Sequence, residues 1–355
     1  METSDPAARR NGPRRYATRA TGVRVVVAAV ALLVAGFGLE SLARSIPDAI
    51  EAAARASLPW TLGALTAELM VYMFVGLEFG RLLGPHAGLR RAAPFRLGLV
   101  TYGLGTLLPG SPAPGIVLST AELKRRGIPV ARSTLLFAWS AWFNVRVLLV
   151  LAALTATMAT LRGRIPEGSL WIVLGTVGFI GSALVFSAAL LARPALADHV
   201  GALLERLDWR GSGSAARSAT LRLRATAFEM KGSRGNSILI ASNALGSWLA
   251  DAVALRLALV AVGVHAGMGA VLVAYLAATL ASFTPFVPGG LGVVEVAVPA
   301  VLHRFGVNLE LAIAGTLVWR SVALLLPALA GLLALVTLRM EAVPEVGATA
   351  PTPGA

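Results

Sequence analysis

The sequence predicts an all-α polytopic integral membrane protein, with about six full transmembrane helices plus two re-entrant, Pro/Gly-broken helical hairpins in an inverted repeat. Three observations lead there. Hydrophobic residues make up 56% of the 355 positions and charged residues 14%, with a mean hydropathy of +0.75; a soluble domain sits nearer half apolar and a quarter charged. Apolar stretches long enough to cross a bilayer alternate with short segments rich in arginine. Two of the apolar stretches are interrupted by proline and glycine, at Pro109-Gly-Ser-Pro-Ala-Pro-Gly115 and at Thr284-Pro-Phe-Val-Pro-Gly-Gly-Leu-Gly292. Proline removes a backbone donor and glycine weakens the helix. At membrane depth such a break has to face protein or a wet cavity.

Taken in order, Arg9, Arg10, Arg14, Arg15, Arg19 and Arg24 precede the apolar run Val25–Leu39. No small-x-small cleavage site follows closely, so the run reads as a retained first helix with a cytoplasmic N-terminus. Residues 1–22 read as a disordered basic tail. Within one transmembrane domain, 23–338, full spans are expected near 23–39, 58–80, 133–160, 170–192, 237–263 and 311–338. Arg81, Arg90, Arg91 and Arg96 after the second span, and Lys124, Arg125, Arg126 and Arg132 before the third, mark cytoplasmic ends. The segment 97–123 therefore leaves and returns on one side as a hairpin. The basic segment 193–235 is again cytoplasmic, with Leu196, Val200, Leu203, Leu204 and Leu207 at the spacing of an amphipathic surface helix; an ordinary solvated loop is the alternative. The hairpin 269–303 then enters from outside, and the tail 339–355 reads as disordered and cytoplasmic. The opposed hairpins give the repeat its inversion, and Tyr102 precedes Pro112 by the interval at which Tyr275 precedes Pro285.

Composition also excludes functions. The net charge of +13 forms no single basic stripe, which argues against nucleic acid. With no cysteine there is no disulfide, thiol catalysis or cysteine-based metal site. His86, His199, His265 and His303 are scattered, and neither an HExxH, a GxSxG nor a P-loop is present. The chain is accordingly expected not to be an enzyme, with no catalytic residue, metal or cofactor.

Ionisable residues within spans cost about 2.5–3.5 kcal/mol each and mark functional sites by default. Glu68, Arg146, Asp251, Arg256 and Arg320 lie in expected spans, and Glu122 and Glu295 on the return limbs of the hairpins. Salt bridges that merely fix the bundle are the structural alternative. Trp139, Trp142 and Arg146 share one helix face, and arginine's planar fork suits phosphate oxygens. Asn243, Ser247 and Asp251 form a polar stripe, and Glu68 and Tyr72 stand one turn apart. Trp60 and Trp171, at span ends, fit the lipid interface. The helices restarting after Pro114-Gly115 and after Pro288, Gly289, Gly290 and Gly292 would offer unpaired N–H groups to an anion. Arg146, Trp142 and Arg320 are thus expected to hold a headgroup phosphate. Glu122, Glu295 and Asp251 would complete a polar path, the glutamates pairing the arginines when the site is empty.

With these residues in view, the chain resembles the lysylphosphatidylglycerol synthase transmembrane-region family, the flippase-like membrane domain of multiple peptide resistance factors and their stand-alone relatives. The second half carries the likeness best, in Pro288-Gly-Gly-Leu-Gly-Val-Val-Glu295 and in Trp319-Arg320 leading into Leu326-Pro327 and Gly331. The first half is similar in Leu108-Pro109-Gly110 and Lys124-Arg-Arg-Gly127, but departs in having PGSPAPG with Glu122 further on, and no acidic companion beside Arg146. The resemblance implies a cell-membrane protein that binds or translocates phospholipid or a lipid-linked anionic substrate. Lysyl transfer is not expected, since only a short tail follows residue 338. A non-transporting partner of a cell-envelope or glycolipid enzyme is the alternative function, and a second copy of the chain or such an enzyme the further candidate partner.

Overall fold

The computed structural model describes residues 50–84, 89–105, 113–163, 234–282 and 292–341, with isolated positions elsewhere. The expected first span, most of the expected span 170–192, residues 194–233 of the basic segment and both hairpin tips lie outside the described residues. Every element described is helical. Among the described residues four stretches are long and apolar enough to cross a membrane: Leu58–Leu83, Val130–Leu161, Gly235–Ala261 and Leu309–Met340.

Helix α1 (Leu58–Leu83) starts with proline inside its first turn, where a missing N–H costs nothing, and stops at Gly84, whose φ of 65° admits no ordinary side chain without strain. A short α2 (Ala93–Gly98) continues through a π-helical turn, Leu99–Leu104, as the outward limb of the first hairpin; α3 (Ala113–Arg125) is the return limb. α4 (Val130–Leu161) and α5 (Arg234–Ala261) are full spans, and α6 (Met268–Ser282) and α7 (Val293–Arg304) form the limbs of the second hairpin. The expected last span, 311–338, is α8 (Leu309–Arg320) and α9 (Leu326–Met340) joined by a π-helical turn, Ser321–Leu325. Pro327 explains the interruption. Its ring clashes with the carbonyl four residues back, Ala323, and the wider π turn moves that carbonyl aside. α9 also runs past the expected boundary at 338, so the tail is held through Glu341 rather than free from 339.

Hydrogen bonds fix which ends lie together. At one end Arg132 Nη2 donates to Leu83 O (3.4 Å) and Arg126 Nη2 to Leu338 O (2.8 Å). At the other, Ser57 N donates to Ala261 O (2.8 Å), and Gly163, Val264, Gly267, Gly306 and Asn308 border one cavity of about 750 Å³. α1 and α5 are thus antiparallel and make the most extensive helix pair among the described residues. The first hairpin rises from the arginine-rich end and the second from the opposite one.

Close backbone approach holds the first hairpin in place. The limbs are joined by Thr101 Oγ1 and Ser119 Oγ at 2.8 Å. A Cβ on Gly115 would lie 2.0 Å from Thr101 O, one on Gly103 2.3 Å from Pro327 O, and one on Gly331 2.5 Å from Leu99 O. Small residues that let helices touch are the usual device where lipid replaces water and apolar burial no longer discriminates between helix faces. Among the described residues two large cores result, one around Phe79, Leu97, Leu123, Leu136 and Leu338, the other around Leu255, Leu259, Val271, Tyr275, Leu302 and Trp319, with a small third cluster at Ile313 and Ala314. Leu62, Leu69, Met73, Val150, Leu154, Leu333 and Val336 stay exposed, as side chains that face lipid do.

Gly115→Val should therefore lower stability by about 1–3 kcal/mol through overpacking. Gly63→Ala, whose Cβ meets only Leu257 Cδ1 at 3.5 Å, should leave it unchanged. Thermal unfolding in detergent checks both; equal melting points would contradict the close approach.

Candidate functional site

The second hairpin and the last span meet through one carboxylate. Gly292, with a φ of 82°, ends the hairpin tip and opens α7. Glu295, in the first turn, folds back so that its Oε2 accepts the Gly292 N–H at 2.7 Å. Its Oε1 accepts Arg320 Nε at 2.7 Å. Arg320 is the last residue of α8, just before the π turn, and its guanidinium carbon lies 5.7 Å from the Trp319 ring centre. The Arg320 side chain is 11% exposed and that of Glu295 20%. Charge-assisted bonds of this kind contribute about 1.5–3 kcal/mol each. The helix end expected to stand open to an anion is thus closed by the protein's own carboxylate. Of the residues expected to form that end, Gly292 is described; Pro288, Gly289 and Gly290 lie outside the described residues.

Beside this clasp sits a second acid. Asp251 of α5 accepts the Tyr275 hydroxyl at Oδ2 and the Trp319 indole N–H at Oδ1, both at 2.8 Å. Glu68 of α1 faces it, and Arg320 acts electrostatically on both carboxyls. Glu68 is 4% exposed, and its Oε2 has no hydrogen-bond partner among the described residues. Tyr72, one turn along α1, is buried against the same group. Of the expected stripe on α5, Asp251 enters the cluster. Ser247 bonds back to Ala244 O, and Asn243 Nδ2 is buried with no partner among the described residues.

Two expected members stand elsewhere. Arg146 is not buried beside Arg320. It is exposed, with its guanidinium carbon 4.3 Å above the Trp142 ring, and borders a cleft of about 530 Å³ between α4 and α5 with Phe143, Val150, Leu154, Ser237 and Leu245. The shared face of Trp139, Trp142 and Arg146 is real, with the two indoles edge-to-face at 5.3 Å, but it is split: Trp139 packs on the first core, Trp142 is half-buried and Arg146 is exposed. The stacking partner sits one turn away on the same helix, so the cation needs no carboxylate. Glu122 does not enter a mid-membrane path either. Arg125 Nη1 and Arg126 Nε, three and four residues on, bond it at 3.0 and 3.1 Å at the arginine-rich end. Local i,i+3 and i,i+4 pairing is the simplest arrangement for that sequence. Arg256, also expected within a span, is exposed on α5.

One acid escaped the sequence reading. Glu78, on α1, is 1% exposed, and Asn144 Nδ2 of α4 bonds both its oxygens at 3.0 and 3.1 Å. Its neighbour Tyr102, in the first hairpin, reaches Ser140 Oγ at 3.4 Å. A signal was available. Glu78 precedes Tyr102 by the 24 residues that separate Asp251 from Tyr275. The same offset between halves carries Pro112 onto Pro285 and Glu122 onto Glu295.

At the arginine-rich end a clamp closes the bundle. Glu341, just past α9, accepts from Arg96 and from Arg126 Nη1 (3.1 Å). Burial pushes its carboxyl up, but the hydrogen bonds and charges of Arg96 and Arg126 outweigh that and hold it below the ordinary 4.5. A lowered folded-state value means that stability from this group is present above 4.5 and lost as pH falls through the folded value. Glu341→Gln should abolish that part of the acid sensitivity of the melting temperature; an unchanged pH profile would contradict the clamp.

Among the described residues no group of three or more His, Asp or Glu stands close enough to hold a metal. Spans, opposed hairpins and buried charge together define a multi-pass, all-helical membrane protein with an ion-paired polar centre. The chain belongs to the lysylphosphatidylglycerol synthase TM region family, which matches residues 19–331. A comparison with curated proteins finds no match.

Proposed function

We propose that this chain binds a phospholipid or lipid-linked anionic substrate and moves it between bilayer leaflets, with the arginine-rich end facing the cytoplasm of a cell membrane. The observation that carries the reading is the clasp. Glu295 presents one oxygen to a helix-end N–H and the other to a guanidinium, both at 2.7 Å. Those are the donors that hold a phosphate monoanion elsewhere. The carboxylate acts as a resident stand-in. A headgroup phosphate entering from the hairpin side competes for both donors and releases Glu295; departure of the lipid lets Glu295 return and resets the site. A ligand that exchanges with an internal anion binds without leaving charge uncompensated in hydrocarbon, which the cost of isolated intramembrane charge demands. Membership of a lipid-related membrane family supports the same substrate class.

The competition separates two variants. Arg320→Ala should slow headgroup exposure in proteoliposomes more than tenfold, about 1.4 kcal/mol in barrier, and also lower the lipid that co-purifies. Glu295→Gln should slow exposure while raising retained lipid, because the resetting anion is gone. Native rates in both folded variants would remove the clasp from the mechanism. Translocation that is absent from the native chain, with normal folding, would favour a non-transporting partner of an envelope enzyme.

A further inference from the structure

The two halves repeat an acid–tyrosine pair, but they compensate it differently. In the second half Asp251 has two donors at 2.8 Å and the positive charge of Arg320 nearby. In the first half Glu78 has only neutral company. Asn144 Nδ2 lies 3.0 and 3.1 Å from its oxygens and also 2.9 Å from Ser140 O and 3.4 Å from Ser140 Oγ. The two amide hydrogens of Asn144 and the Ser140 hydroxyl, which also bonds Glu78, are shared among both carboxylate oxygens, Ser140 O and Ser140 Oγ, and every donor in the group is neutral. No cation among the described residues meets the group. Arg81, on the same helix, is exposed; Arg132 of α4 is turned to Leu83 O; Arg146 stacks on Trp142. From the first hairpin the titratable neighbour is Tyr102, and from α5 it is the neutral Trp248 that approaches, donating Nε1–H to Asn144 O at 3.2 Å.

A carboxylate buried among neutral dipoles carries an uncompensated desolvation cost. A proton removes that cost and adds one donor to the cluster that Asn144 and Ser140 make around the carboxyl. We propose that Glu78, with Asn144, Ser140 and Tyr102, forms a proton-binding site that energises the lipid movement inferred above. The step is a reversible transfer between the Glu78 carboxyl and entering water: one O–H bond forms as another breaks, and no redox change occurs. Trp248 joins this site to the clasp. It bonds the Asn144 backbone on one side and packs against Tyr275 on the other, ring centres 6.4 Å apart, and Tyr275 bonds Asp251. Loss of the proton pulls Asn144 toward the charged oxygens and shifts the backbone that Trp248 grips. The proposal rests on the transport reading for its consequence, and on local geometry for the site itself.

Two measurements on the full chain separate these. Infrared difference spectra of the reconstituted protein across a pH step should show the carbonyl stretch of a protonated carboxyl, lost in Glu78→Gln and displaced in Glu78→Asp. A band that persists unchanged in Glu78→Gln overturns the site, as does a band abolished by sodium chloride at constant pH, which would make it a metal-cation site. In vesicles of phosphatidylethanolamine and phosphatidylglycerol carrying fluorescent phosphatidylglycerol, the native rate should differ at least threefold between opposite pH gradients, and Glu78→Gln should respond equally to both. Gradient-independent native movement overturns the coupling. An absence of native movement overturns the transport reading and the coupling with it, while the infrared band still decides where the proton resides.

Discussion

A carboxylate placed in hydrocarbon must be neutralised where it stands, and Glu295 is neutralised from two directions. A helix end supplies one partner and a guanidinium the other. That single group fixes where α7 begins, holds the second hairpin against the last span and sets the rotation of α8, since Arg320 has to emerge facing it. Trp319, its chain neighbour, is then committed to Asp251, and Asp251 in turn orients Tyr275 and faces Glu68. The polar centre is one connected structure whose parts cannot be moved independently.

The halves share a plan and diverge in chemistry. Each pairs an acid on a full span with a tyrosine on a hairpin limb, at equal spacing, and each places a glutamate at the same offset on a return limb. In the second half the return-limb glutamate lies within the bundle and clasps an arginine from a distant helix. In the first, Glu122 is drawn to its own helix's arginines and, through Arg126, to Glu341 and the end of α9. One copy of the plan became a polar centre and the other an anchor. Such asymmetry suits a protein whose two hairpins perform different tasks around a shared pair of antiparallel helices.

The four described spans are legible because lipid leaves little choice: about 20 apolar residues, and charge at the ends. The hairpin limbs are legible because a bilayer tolerates proline and glycine at depth only where the chain opens onto protein or water, although the breaks themselves lie outside the described residues. Which way each helix turns was not. Periodicity places Trp139, Trp142 and Arg146 on one face but is silent on whether that face meets protein or lipid, and a guanidinium stacked on an indole tolerates either. Glu122 departs from the expected polar path because Arg125 and Arg126, three and four residues on, pair with it locally. The π turns left one trace, Pro327. Glu78 carries its signal in spacing alone, standing before Tyr102 as Asp251 stands before Tyr275.

The central claim is that Glu295 and Arg320 depend on each other. A double-mutant cycle tests it most directly, with Glu295→Gln and Arg320→Met measured singly and together by unfolding in detergent. The account predicts a coupling of about 1–3 kcal/mol, the range for groups in direct contact, with the double variant more stable than the sum of the single losses implies. Strict additivity would mean that the two residues act separately, and would contradict it.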